Sequence, residues 1–206
     1  NFLSIGSFEK PIFPKNIKIN DLYDVAIPLL GKKGCVTRYS TQKGAKPNER
    51  TFLENGIAHV SKLVLEQMAV DQKTYPGDGA AGGLGFGLRC LLGANLSSGF
   101  NEIAKLKSLN QEIEKADWVI GGEGSIDFQT MDGKVLSGLA QLCKQYTTPL
   151  IAVCGVSNNK MVMKELLDAK DLLPIVSQAK STQDAIANAS FYLEMIGAQI
   201  ARKYLN

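Results

Sequence analysis

The second half of the chain alternates short apolar runs with helix-patterned segments, and this alternation limits the possible folds more than any other feature. Residues 118–120, 150–153 and 172–176 are short β-prone runs, whereas 133–146 and 160–169 have the apolar spacing of helices. Strands that alternate with helices pair in parallel through right-handed crossovers. We therefore predict three neighbouring parallel strands in part of a Rossmann-like, three-layer α/β/α domain.

The C-terminal segment predicts a further long helix on one face of this sheet. Apolar residues recur every three or four positions from Ile186 to Ile200, and Ser181 and Asp184 have the spacing of a capping box. An open sheet of this class usually has about five or six strands. We therefore expect some strands to be missing from this chain or to come from its first half.

The first half predicts a small mixed-sheet α/β domain. Residues 22–26 and 35–39 are β-prone runs, and the apolar spacing over 53–68 predicts a long amphipathic helix. We assign the small domain to 1–110 and the C-terminal part of the Rossmann-like domain to 111–206. This boundary lies within a polar segment over residues 100–116, which we predict to be helical.

Composition and charge narrow the range of partners. The 206 residues are 45% hydrophobic and 21% charged, and the net charge of +3 is scattered along the sequence. We therefore expect no nucleic-acid partner. Apolar runs are shorter than the about 20 residues needed to cross a bilayer, so we expect no membrane partner.

The cysteines and the single histidine exclude several kinds of site. The four cysteines form no C-x-x-C pair, so we expect reduced, packed thiols in a cytoplasmic protein. His59 lies beside the apolar stripe of its predicted helix and is expected to be solvated. One histidine cannot form a His-rich metal site, and a Ser-His-Asp triad would depend on that poorly placed ring.

A glycine cluster between residues 77 and 87 is the first candidate site. Gly77, Gly79 and Gly82 match G-x-G-x-x-G, but no predicted strand precedes them, which argues against a dinucleotide fingerprint. Small residues at a helix start leave N–H groups uncovered, and the helix dipole favours anions there. Two interpretations stay open, a phosphate loop and close helix packing through small residues.

A second glycine cluster, over residues 121–130, follows the predicted strand 118–120 at the carboxyl end, where ligands of open α/β sheets bind. Glu123 and Asp127 can hold Mg²⁺ or accept a hydroxyl proton. Lys134 opens the next predicted helix, so its ammonium group would face the same crevice. The alternative is a capped loop with solvated carboxylates.

Four motifs in this sequence resemble those of the bacterial type I glycerate kinases. Residues 76–88 read P-G-D-G-A-A-G-G-L-G-F-G-L, where the family has P-G-A-G-A-A-G-G-L-G-F. Residues 116–140 read A-D-W-V-I-G-G-E-G-S-I-D-F-Q-T-M-D-G-K-V-L-S-G-L-A, similar to D-L-V-I-T-G-E-G-x-x-D-x-Q-T-x-x-G-K-A-P-x-G-V-A. Residues 24–31, D-V-A-I-P-L-L-G, and 42–45, Q-K-G-A, resemble D-V-x-N-P-L-x-G and P-Q-K-G-A.

The resemblance implies ATP-dependent phosphorylation of D-glycerate with Mg²⁺, in a cleft between two α/β domains. It makes Asp24 the residue that orients or deprotonates the glycerate hydroxyl, and Lys134 the residue that offsets charge on the transferred phosphoryl group. The other implied contacts are with substrate or phosphate, from Gln42, Lys43, Gly79, Ala80, Gly82, Gly83 and Gly124, and with metal, from Glu123 and Asp127.

The sequence also departs from the family pattern. Ile27 stands where the family has Asn, and Ser125 where it usually has Arg. The resemblance implies that two polar partners for substrate or phosphate are therefore missing. The family's opening strand and its S-A-T-x-D-G-G segment have no counterpart, so we expect a truncated chain with little activity by itself. The alternatives are an inactive relative that binds a nucleotide or small acid, and a nicotinamide-dependent oxidoreductase. Apolar surface left by missing strands would favour a homo-oligomer.

Overall fold

The computed structural model describes residues 2–9, 11–14, 16–68, 70–71 and 73–205. Contacts divide the chain into two compact units, Asn1–Ile103 and Ala104–Asn206. Among the described residues, no helix combines the length and the apolar character needed to span a membrane.

The first unit is built on a two-stranded parallel sheet of β1 (Asn20–Tyr23) and β2 (Asn95–Ser98). Its helices are α1 (Cys35–Tyr39), α2 (Arg50–Met68), α3 (Leu84–Leu92) and α4 (Gly99–Leu106), the last of which continues into the second unit. Ile27, Val64 and Phe86 lie in its apolar core. The long helix predicted over 53–68 is confirmed as α2.

One strand prediction for the first unit is wrong and another is displaced. Residues 35–39 form helix α1, and the strand predicted over 22–26 is β1, which begins earlier and ends at Tyr23. A five-residue apolar run does not distinguish a buried strand from a buried helical turn. The backbone of Gly34 lies so close to Leu30 that a Cβ atom there would be 2.5 Å from the Leu30 carbonyl carbon. Helix α1 begins directly after this tight turn, with Gly34 as its N-cap residue.

The helix predicted over 100–116 is interrupted. Helix α4 ends at Leu106, and α5 (Leu109–Lys115) begins after Ser108, whose φ of 52° is left-handed. The strand β2 just before α4 is absent from the sequence predictions, because its residues N-L-S-S include few of the side chains that favour strands.

His59 is half-buried in α2 rather than solvated as predicted. Its Nε2–H donates a hydrogen bond to the carbonyl oxygen of Ile5 at 2.7 Å. The imidazole therefore holds the segment before β1 against α2, and its contact is structural.

The second unit contains a parallel three-stranded sheet in the order β3 (Val119–Ile126), β4 (Leu150–Ser157), β5 (Asp171–Pro174). The three predicted strands are therefore confirmed as parallel neighbours. Strands β3 and β4 extend further towards the C-terminus than predicted. The glycines of the second cluster therefore lie within β3.

Helices cover both faces of this sheet. They are α6 (Val135–Tyr146), α7 (Lys160–Leu166), α8 (Thr182–Ala187) and α9 (Ala189–Tyr204). On one face, Leu150 packs with Leu136 of α6 and Met163 of α7. On the other face, Ile151 packs with Ile196 of α9. This three-layer arrangement confirms the predicted α/β/α fold class.

The helix predicted from Ser181 onward is two helices, α8 and α9. Asn188 separates them with a φ of −117° and a ψ of 29°. The Ser181 hydroxyl accepts the Asp184 N–H at 3.1 Å, as predicted for a cap. The Asp184 carboxylate accepts the Asn188 side-chain amide at 2.7 Å, which stabilises the break.

Asp171 connects the start of β5 with the end of α9. Its Oδ2 accepts hydrogen bonds from Lys203 Nζ at 3.0 Å and from the Tyr204 hydroxyl at 2.9 Å, and its Oδ1 accepts the Leu172 N–H at 2.9 Å. Partial burial opposes the charged carboxylate, but these hydrogen bonds outweigh it and lower the pKa of Asp171.

We expect this contact to contribute stability that acid removes. A depressed folded pKa gives stability that is fully present above the unfolded value of about 4 and is lost as the pH falls through the folded pKa. Asp171→Asn should therefore lower Tm by a few degrees near pH 7, and this difference should shrink near pH 3. Thermal unfolding across this range measures both effects.

Asp168→Asn is the matched control. Asp168 forms an exposed ion pair with Lys144 at 3.9 Å, and such pairs contribute little. Equal Tm changes for the two variants at every pH would contradict the role of Asp171.

Candidate active site

Three sequence motifs meet at one cavity within the first unit. The cavity has a volume of about 530 Å³, and Asp24, Lys43, Ala81 and Gly82 line it together with apolar side chains. Asp24 begins the first motif, Lys43 belongs to the second, and the other two belong to the glycine cluster. Gln42 is exposed and is not among the described residues that line the cavity.

Local backbone geometry places the two charged side chains. Strand β1 ends at Tyr23, so Asp24 follows at the carboxyl end of a parallel sheet. Lys43 lies in the turn after α1, where its N–H donates to the Ser40 carbonyl oxygen at 3.1 Å and Gly44 has a φ of 92°. Both side chains are exposed. A small polar ligand can therefore contact a carboxylate and an ammonium group at one cavity.

Ser40 is a further lining residue, which no sequence pattern indicated. It is 8% exposed and follows the last residue of α1. Its position two residues before Gln42, a predicted contact, was the available signal.

The backbone N–H groups predicted to bind an anion are already engaged within the first unit. The N–H of Gly79 donates to Ile27 at 3.0 Å, that of Ala80 to Gly77 at 2.9 Å, and those of Gly82 and Gly83 to Gly79 and Ala80 at 3.1 Å each. Phosphate binding by these four groups stays a prediction. In the structure, Ala81 and Gly82 of this loop contribute a cavity wall with little side-chain bulk.

Close packing explains one glycine of this cluster, and backbone conformation explains another. A Cβ atom at Gly79 would lie 2.2 Å from the Pro28 carbonyl oxygen, so close packing requires glycine there. Gly82 has a φ of 76° and no described atom within 4 Å of its Cβ position. Gly82 is therefore required by its backbone conformation, and it borders the cavity.

The second glycine cluster is part of strand β3 rather than a turn after it. Gly121 pairs with Ala152, and Glu123 pairs with Cys154. A Cβ atom at Gly121 would lie 2.9 Å from a methyl group of Leu136, so glycine lets α6 approach the sheet. The carboxyl end of the strand therefore lies at Ile126 and not at residue 120.

Both predicted metal-binding carboxylates make capping contacts. Glu123 accepts the Leu136 N–H at 3.2 Å through Oε1 and the Thr130 hydroxyl at 3.3 Å through Oε2. Asp127 accepts the Gln129 N–H at 2.8 Å. These are the contacts of a capped loop. Within the part of the chain that the structure describes, no group of three or more His, Cys, Asp or Glu residues is arranged to hold a metal ion.

The remaining predicted residues of this motif lie around the same sheet edge. Lys134 is the N-cap residue of α6 and follows Gly133, whose φ is 107°. Ser125, which replaces the family's usual Arg, donates a hydrogen bond to Asp127 at 3.4 Å. Gly124 borders a mainly apolar cavity of about 800 Å³ between the sheet and helices α8 and α9.

Comparisons with known proteins agree with these motifs. The model of the glycerate kinase family matches residues 7–205. The glycerate kinase of Halalkalibacterium halodurans is 33% identical over 189 residues, which cover 91% of this chain and 49% of that protein. The glycerate 2-kinase of Escherichia coli K12 is 38% identical over 141 residues, which cover 68% of this chain and 37% of that protein.

A solved structure shows the same similarity in three dimensions. The crystal structure described as a glycerate kinase 2 from Salmonella typhimurium LT2 has a TM-score of 0.57 and 27% identity, covering 100% of this chain and 55% of that one. The chain thus spans about half the length of the relatives it matches. Because the family model covers nearly the whole sequence, the chain belongs to the glycerate kinase family.

Proposed function

We propose that this chain supplies residues for ATP-dependent phosphorylation of D-glycerate. The observation that carries the proposal is the cavity of the first unit, which Asp24, Lys43 and the glycine cluster border together. D-glycerate is a small acid with one carboxylate and two hydroxyl groups. A carboxylate and an ammonium group beside a small cavity match these groups, and the named relatives support the same substrate.

The two charged residues have complementary proposed roles. The Lys43 ammonium group pairs with the substrate carboxylate as a charge-assisted hydrogen-bond donor. The Asp24 carboxylate accepts a hydrogen bond from a glycerate hydroxyl and can take its proton as that oxygen attacks phosphorus. Gln42 is a proposed contact beside Lys43.

The motif of the second unit is proposed to serve the phosphate groups. Phosphoryl transfer depends mainly on positioning and charge stabilisation. Lys134 lies at the start of α6, where its ammonium group and the helix dipole both favour negative charge. Glu123 and Asp127 retain carboxylate lone pairs beyond those used in capping, and Mg²⁺ commonly binds through one or two carboxylates, water and phosphate. A bound Mg²⁺ would neutralise phosphate charge. Gly124, the proposed substrate or phosphate contact, lies next to Glu123 in β3.

The cysteines support a cytoplasmic location, which we also propose. All four are buried and free, as predicted. Burial raises the pKa of the Cys154 thiol to about 11, so this thiol is not reactive near neutral pH. Buried reduced thiols are typical of proteins in a reducing compartment.

Binding of D-glycerate tests the proposed cavity. We expect the chain to bind D-glycerate, and Asp24→Asn and Lys43→Met each to weaken binding about tenfold or more, because each removes a charge-assisted contact. Isothermal titration calorimetry measures the dissociation constants. Lys62→Met is the control, since Lys62 is exposed on α2 and pairs only loosely with Glu66 at 3.9 Å. Equal affinities for all variants would contradict the assignment.

Turnover tests the reaction. We expect the chain by itself to release ADP from ATP, Mg²⁺ and D-glycerate well below the about 1–100 per second of ordinary kinases, with Asp24→Asn removing the residual rate. The reason is that no segment matching the family's S-A-T-x-D-G-G motif occurs in these 206 residues. An ordinary rate would show that the remaining motifs suffice. Binding with no turnover at all would favour an inactive relative that binds a small acid.

A further inference from the structure

An ion pair between Asp78 of the glycine cluster and Arg89 of α3 is largely buried and has no role in the proposed chemistry. Asp78 is 2% exposed, and its Oδ1 and Oδ2 accept hydrogen bonds from Arg89 Nε at 2.8 Å and Nη2 at 3.0 Å. Two parallel bonds to one guanidinium group fix the relative orientation of both side chains. A buried pair of this kind adds little net stability, because desolvation offsets the attraction. Its geometry is therefore its clearest contribution.

The same ion pair connects the backbone on the two sides of the loop at residues 79–83. Asp78 Oδ2 also accepts the Tyr75 N–H at 2.9 Å, and the Asp78 carbonyl oxygen accepts the Phe86 N–H at 3.1 Å. The Arg89 guanidinium carbon lies 4.4 Å from the centre of the Tyr75 ring. We call Tyr75, Asp78 and Arg89 the clamp. It fastens the segment before the loop to helix α3 after it.

The loop held by the clamp contains a strained residue at the cavity wall. Ala81 has a φ of 51° and a ψ of 31°, a left-handed conformation that residues other than glycine rarely adopt. Such a conformation persists only when the surrounding contacts determine it. Ala81 and Gly82 both line the cavity beside Asp24 and Lys43. The shape of this wall therefore depends on the contacts that hold the ends of the loop.

We propose that the clamp is a positioning device that holds the glycine loop in the conformation that receives D-glycerate. The proposal rests on the proposed function of the cavity. Asp78 and Arg89 are not among the described residues that line it, so they act through the loop and are positioning residues. The family block quoted above has Ala at the position of Asp78, so this ion pair is additional to the shared motif.

The double variant D78A/R89M tests the clamp. It replaces a buried ion pair by apolar side chains, a change that often preserves stability. The matched control is K62M/E66A, which removes the exposed Lys62–Glu66 pair of α2 with the same changes of charge. We expect hydrogen exchange of the loop amides, followed by mass spectrometry, to be at least about tenfold faster in D78A/R89M and unchanged in the control.

Affinity for D-glycerate is the second measurement on the same proteins. We expect it to fall about tenfold in D78A/R89M, because only part of the loop population then has the receiving conformation. R89K keeps the charge but loses the bidentate geometry, so an intermediate effect is expected. If D78A/R89M does not fold, both measurements on R89K decide the question.

The outcomes separate the clamp from the proposed function. Unchanged loop exchange would overturn the clamp, and this measurement needs no ligand. Faster exchange with unchanged affinity would overturn its role in receiving D-glycerate. Failure of the unmodified chain to bind D-glycerate would overturn the proposed function and the ligand part of the proposal, while the exchange result would still decide whether the clamp holds the loop.

Discussion

Gly85→Ala is expected to destabilise the first unit by about 3 kcal/mol, because the added methyl group has no space. A Cβ atom at Gly85 would lie 2.3 Å from the carbonyl oxygen of Gly77. This oxygen belongs to the backbone just before the glycine loop, so it cannot rotate away as a flexible side chain can. Urea unfolding measures the change in the free energy of unfolding.

Gly87→Ala is the matched control in the same helix. Its Cβ position has no described atom within 4 Å. Alanine favours a helix over glycine, so this variant is expected to stabilise the protein by up to about 1 kcal/mol. Similar effects of the two substitutions would contradict the close approach of α3 to Gly77.

Ile27→Asn, which restores the family's residue, is expected to destabilise the protein by about 3 kcal/mol. Ile27 is 2% exposed and lies in the apolar core of the first unit. The variant would lose apolar burial and place an amide where its hydrogen bonds are unmade. The resemblance implied that this position contacts substrate or phosphate, but Ile27 is not among the described residues that line the cavity.

Ile27→Val is the control for this position. It removes one methylene group and is expected to cost about 1 kcal/mol. Urea unfolding measures the free energy of unfolding of both variants relative to the unmodified chain. A neutral or stabilising Ile27→Asn would show that the position has a polar partner, and the family's asparagine would then fit this chain as well.

Local sequence patterns predicted most of the second unit correctly. Strands β4 and β5 were recognisable as short apolar runs because most of their residues are buried in a parallel sheet. In the first unit, apolar spacing predicted helix α2 correctly, because one face of this helix packs against the core. These signals are local, and each residue contributes through its own side chain.

Prediction failed where a distant contact decided the local structure. Residues 121–126 are rich in glycine, which is uncommon in strands, and so they indicated a turn. The structure places them in β3, where they pair with β4 and where Gly121 leaves space for Leu136 of α6. Residues 35–39 form helix α1, which begins directly after the close approach of Gly34 to the Leu30 backbone.

The sequence by itself determined the parallel α/β/α architecture, the family resemblance and the identity of the chemically capable residues, since all three depend on residue types and spacing. Only the tertiary structure decided that Asp24 and Lys43 border one cavity with the glycine cluster. It also decided that the loop N–H groups are engaged and that Asp78 pairs with Arg89. The physical reason is that hydrogen bonds and cavities depend on which segments meet in space, and residue spacing along the chain does not specify those partners.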